Sequence, residues 1–219
     1  MSNAVLSHPG QRPVGSNATL AAAVVLAAWL AVVLLLGARG FFAGPPGEPP
    51  LTLLIGVAVP IIFFVAALRT SRPFRDLVLA ADLRLVTAIQ AWRFGGLGFL
   101  AFYAHGILPG IFAWPAGLGD MAIGATAPWI MLSLIHRPDF ASGGPFRVWN
   151  LLGILDLVVA VGIGGLSGAL AAGTPGEITT APMAVLPLVL IPAYLVPIFV
   201  MLHVTALYQA RNGLQARQL

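Results

Sequence analysis

Six apolar runs dominate this chain, and each is long enough to matter in a lipid bilayer. They are Ala18–Gly37, Leu51–Leu68, Leu85–Ile107, Gly117–His136, Val148–Leu170 and Ala184–Leu207. At about 1.5 Å of rise per residue, about 20 helical residues cross a hydrocarbon core of about 30 Å. Composition supports the same reading. Of the 219 residues, 59% are hydrophobic and only 8% charged, against roughly 25% charged in a soluble domain. That balance excludes a soluble enzyme, a nucleic-acid-binding module and a disordered chain. The expected fold is all-α, a polytopic bundle of six transmembrane helices. The expected organisation is a disordered leader over 1–17, one membrane domain over 18–207 and a short basic tail over 208–219.

All eleven basic residues are Arg, and their placement predicts orientation. With the N-terminus inside, the inner segments hold Arg12, Arg69, Arg72, Arg75, Arg84, Arg137, Arg147, Arg211 and Arg217, while the outer segments hold Arg39. The positive-inside rule therefore predicts both termini in the cytoplasm. The net charge of +4 is explained by lipid orientation, so no nucleic-acid partner is needed. The same arginines suit anionic lipid head groups as partners. Within the link from Arg69 to Arg84, Phe74, Leu77, Val78 and Ala81 share one helical face. This predicts a short interfacial helix or, alternatively, a plain extension of the third span.

With no Cys and no Lys in the chain, disulfides, thiolate metal sites and Schiff-base cofactors are excluded. Other features could carry chemistry. Pro182, Pro187, Pro192 and Pro197 recur every fifth residue through the sixth run. They predict either a bent helix lining a polar cavity or a packed, kinked helix. Gly164 and Gly168 form a small-xxx-small pair, for packing within the bundle or for a homodimer face. Gly165-Leu166-Ser167-Gly168 matches the Gly-x-Ser-Gly pattern of rhomboid proteases. Ser167 and His203 fall at opposite ends of their spans, however, so no catalytic dyad is expected. His136 and His203 share a depth that would allow a haem between them. Tyr103, His105, Trp114 and Asp120 flank the turn Leu108-Pro109-Gly110. If spans three and four form a hairpin, His105 and Asp120 meet there, as a loop anchor or as a proton or metal site.

The sharpest expectation concerns Arg93 and Asp156. Each lies eight residues into its span, which at about 1.5 Å per residue is about 12 Å from the same membrane face. An unpaired charge at the centre of a span costs about 2.5–3.5 kcal/mol on insertion scales. Equal depth and opposite sign predict a pair across the bundle, with Gln90 and Asn150 beside it. The pair would serve as a structural lock or as a substrate or proton site.

Four segments resemble those of a family of small, uncharacterised bacterial integral membrane proteins. They are Gln90–Arg93, Leu108–Asp120, Asn150–Leu157 and Pro187–Pro192. The resemblance spans runs three to six. It implies a bacterial inner membrane and no particular activity. Three functions remain open on the residues alone. One is a protein that handles a small molecule, ion or lipid among spans three, five and six. Another is an accessory or scaffold subunit of a larger membrane complex. The third is a haem or quinone electron carrier.

The topology is directly testable because the chain lacks cysteine. Single Cys substitutions across Gly44–Pro49 should react with a membrane-impermeant maleimide added from the outside of intact cells. Labelling only from the cytoplasmic side would invert the orientation.

Overall fold

The computed structural model describes residues 16–45, 48–137, 139–170 and 177–216. The expected leader lies outside these residues up to position 15, as do the last three residues of the expected tail. Among the described residues eight α-helices run in order: α1 (Ser16–Ala38), α2 (Leu51–Thr70), α3 (Arg72–Ala80), α4 (Leu83–Ile89), α5 (Leu97–Ala104), α6 (Gly110–His136), α7 (Gly144–Leu170) and α8 (Val196–Ala216). Six segments are long and apolar enough to cross a membrane, with α4 through α5 forming the third. The chain is therefore a multi-pass membrane protein built as an all-α bundle.

The short helix is a separate element. Ser71 caps α3 by accepting from the Phe74 amide, Pro73 stands in its first turn, and the backbone turns extended at Ala81. Asp82 then caps α4 through the Arg84 amide at 2.8 Å. Side-chain oxygens satisfy amides that a helix start leaves orphaned. On the apolar face of α3, Val78 is buried and Phe74 meets Phe64 edge-on. Gln209 of α8 donates to the carbonyls of Val78 and Ala81. These contacts tie α3 to the bundle at its arginine-rich end.

Three spans differ from their expected outlines. The third is not one α-helix, because Gln90–Gly96 tightens into a 3-10 segment between α4 and α5. The fourth begins at Gly110, seven residues before the expected start, with Pro109 as its N-cap. Asp120 is therefore ten residues inside the helix, about 15 Å from its start, and does not open it. The sixth is regular only from Val196. Residues 181–184 form a 3-10 turn and Ile191–Leu195 a π-helical turn. The Leu188 carbonyl, exposed by Pro192, accepts from the Ile191 amide at 3.0 Å.

Glycines decide how closely the spans meet. A Cβ at Gly124 of α6 would overlap the Phe94 backbone, and one at Gly96 would overlap Asp120. The 3-10 segment therefore lies directly on α6, and this is the most intimate contact in the bundle. On α7, a Cβ at Gly153 would overlap the His203 ring. α8 packs on α7, α4 and α2 and is the most deeply embedded span, whereas α1 touches mainly the π turn. Trp29 stacks edge-on against Tyr194 there, and the Tyr194 hydroxyl donates to the Leu26 carbonyl at 3.1 Å. Gly164 faces inward, toward Phe112, and its carbonyl accepts from Thr180.

The glycines should separate sharply in mutagenesis. Gly124→Ala forces a backbone apart and should cost about 1–3 kcal/mol, the range for overpacking. Gly162→Ala, whose Cβ would meet open space, should change stability by no more than about 0.5 kcal/mol. Unfolding in mixed detergent micelles would measure both, and equal effects would contradict this packing.

Candidate functional site

The 3-10 segment turns the Arg93 side chain into the bundle, where it is fully buried. Its planar guanidinium presents five N–H donors in a fixed fork. Nε donates to Asp120 Oδ1 of α6 at 2.7 Å. Nη2 donates to Asp156 Oδ2 of α7. Nη1 donates to the Gly153 carbonyl of α7 and to His203 Nε2 of α8, both at 3.1 Å. Spans three to six thus converge on one side chain.

A second line of hydrogen bonds stands behind it. Asn150 Nδ2 donates to the Phe146 carbonyl at 2.8 Å, which turns Oδ1 toward His203 Nδ1 at 2.9 Å. Because Arg93 can only donate, His203 Nε2 must accept. His203 Nδ1 then donates to Asn150, and the ring is the neutral Nδ1–H tautomer. Trp149 packs edge-on against the same ring and donates to Thr126 of α6 at 2.8 Å. Gln90 Nε2 donates to the Phe199 carbonyl at 3.2 Å, but buried Gln90 Oε1 has no partner among the described residues.

Of the residues expected to gather, Arg93 and Asp156 form an ion pair. Asn150 joins them through His203, while Gln90 bonds α8 and not the pair. The outer cluster divides. Tyr103 and Trp114 stack edge-on, and His105 caps α5 at the surface. Asp120 is not with His105. The longer α6 carries it inward to Arg93, where it is a second counter-charge. His136 is exposed at the end of α6 with Nδ1 against the Leu132 carbonyl at 2.8 Å, whereas His203 is fully buried with both ring nitrogens engaged. Ser167 bonds Gly164 and Thr180 and is not beside His203.

Span depth alone puts neither Asp120 nor His203 at Arg93. The signal lay in spacing. Asn150, Gly153 and Asp156 recur every third residue, and Gly117, Asp120 and Gly124 recur at three and four. Either pattern is one helical face combining small and polar residues.

Two cavities meet at Asp120. The larger, about 520 Å³, runs from Gly44, Pro45 and Glu48 past Thr179 and Thr180 down between α2, α7 and the π turn. The smaller, about 420 Å³, is a cleft between the third and sixth spans, from Ile89 and Trp92 to Leu195 and Phe199. Phe99, Leu157, Ile191 and Val196 line both. Pro192 therefore borders a cavity, but its walls are mostly apolar, so the polar-cavity alternative is not met.

The Arg93 cluster invites a double-mutant cycle. Arg93→Gln strands two half-buried acids and should destabilise by up to about 3–5 kcal/mol, the range for breaking a buried pair. Asp156→Asn should cost less, because Asp120 still balances the guanidinium. The double mutant should recover part of the loss, measured by chemical unfolding in detergent. Arg93→Lys should not restore stability, because an ammonium cannot reach four acceptors in a plane. Strict additivity would contradict the coupling.

Neither a curated protein nor a solved structure matches the chain. The profile of a domain of unknown function, DUF8737, matches residues 50–211. That stretch runs from the start of α2 through most of α8 and holds the whole Arg93 cluster. The chain belongs to the family defined by DUF8737.

Proposed function

We propose that this protein binds, and in the membrane carries, a small apolar molecule bearing one positive charge, with Asp120 as the counter-charge. The observation that carries the reading is the charge of the larger cavity. The two charged residues among its lining are Glu48 near the loops and Asp120 at depth, both acids. The remainder is apolar side chain with two threonines. Its volume falls within the range of about 300–1,000 Å³ usual for small-molecule sites. Arg93 supplies one positive charge against two carboxylates, so the ionised cluster keeps an excess negative charge. An intramembrane ionisable group beside a cavity is a functional candidate by default. The protein then belongs in a bacterial cytoplasmic membrane with both termini inside. The arginine asymmetry and the resemblance of spans three to six support that setting, and the arginines beside α3 suit anionic head groups.

Radiolabelled tetraphenylphosphonium, an apolar cation, tests the reading by equilibrium binding to the protein in lipid nanodiscs. Binding should be saturable. Asp120→Asn should weaken it by at least about tenfold, equivalent to 1.4 kcal/mol. Glu48→Gln should weaken it less, because exposed charges act through water and salt. Arg93 retains Asp156 in Asp120→Asn, so a melting curve can establish that the variant is folded. Absent binding, or equal affinity in folded Asp120→Asn, would favour the accessory-subunit reading.

A further inference from the structure

The smaller cavity says where such a ligand comes from. Its walls come from one side of the third span, Arg93 included, and one side of the sixth, with Asp120 and Leu157 behind them; the Arg93 guanidinium itself is fully buried against Asp120. Among the described residues, none of α1 or α2 lines it. At its rim Trp92 is 81% exposed and Leu195 39% exposed, both at positions within the spanning segments. The cleft therefore opens sideways, toward lipid. Its origin is in the packing. α4 rests on α8, but the 3-10 segment and α5 are drawn onto α6, where Gly96, Gly117 and Gly124 admit them closely. The third and sixth spans diverge above that contact.

We propose that the cleft takes the tail of a membrane-dissolved, single-chain amphiphile whose cationic head reaches Asp120. The inference rests on the Asp120 reading above and extends it to a substrate class, long-chain amines. A charged head that leaves the lipid–water interface needs a counter-charge, and this cleft ends on the Asp120 carboxylate. An alkyl tail needs an apolar slot continuous with lipid, and the rim supplies one. The larger cavity accommodates bulkier apolar cations at the same carboxylate without using the cleft.

Gly95 makes the test specific. It lines the cleft, and a Cβ there meets open space, so Gly95→Trp or the milder Gly95→Leu adds side chain to the slot and leaves the Arg93 and Asp120 side chains chemically unchanged. Dodecylamine and propylamine are titrated against bound tetraphenylphosphonium in nanodiscs of one lipid composition. In the wild-type protein dodecylamine should displace the probe far more effectively than propylamine. Gly95→Trp should weaken dodecylamine by at least about tenfold, or 1.4 kcal/mol, and leave the probe's own affinity unchanged. If dodecylamine competes equally well against folded Gly95→Trp and Gly95→Leu, the lateral route is overturned while the Asp120 site stands. If Gly95→Trp weakens probe and amine alike, the cleft is not a separate tail site. If the wild type fails to bind the probe at all, the Asp120 reading itself falls.

Discussion

A guanidinium removed from water must find acceptors, and the bundle is arranged around meeting that demand for Arg93. The uncompensated cost of burying such an ion is several kcal/mol even after relaxation. Here two carboxylates, one carbonyl and one imidazole answer it from three helices. Each partner fixes a depth and a rotation for the helix that bears it. Lipid supplies little hydrophobic force between helices, so packing and such polar contacts have to define the arrangement. The consequence is register. If α7 slid by a turn, both Gly153 and Asp156 would leave the guanidinium together.

The polar contacts are possible only because side chains are missing beside them. Gly153 leaves room for the His203 ring, Gly119 for the Asp156 carboxylate and Gly124 for the Phe94 backbone. The same close approach has a cost elsewhere. A span pulled tightly onto one neighbour stands away from another, and the cleft between the third and sixth spans is that space. The 3-10 geometry contributes as well, since it narrows and lengthens the helix between α4 and α5. Lock and cavity are thus two results of one packing choice.

Much of this was legible beforehand. Apolar run length predicts six spans, and equal depth with opposite sign predicts Arg93 opposite Asp156. The failures have identifiable causes. Leu108-Pro109-Gly110 reads as a turn and the fourth apolar run as starting at Gly117, which hides the first two turns of α6 and sets Asp120 near His105. Pro115 in fact stands inside α6, whose first turns bury Phe112, Ala113 and Ala116, and proline is tolerated within membrane helices. The π turn at Ile191–Leu195 has no local signature beyond Pro192 and Pro197. Nominal depth pairs His203 with His136, but depth does not reveal which neighbour a ring faces.

The position of Arg93 in the chain also bears on how the protein is made. The guanidinium leaves the ribosome 27 residues before Asp120, 63 before Asp156 and 110 before His203. Until then the third span, the least hydropathic of the six, carries an unanswered charge that works against its residence in lipid. Its first counter-charge arrives with the very next span. The third and fourth spans are therefore better suited to enter the membrane as a helical hairpin than one after the other. The later arrivals on α7 and α8 close around a pair that has already partitioned.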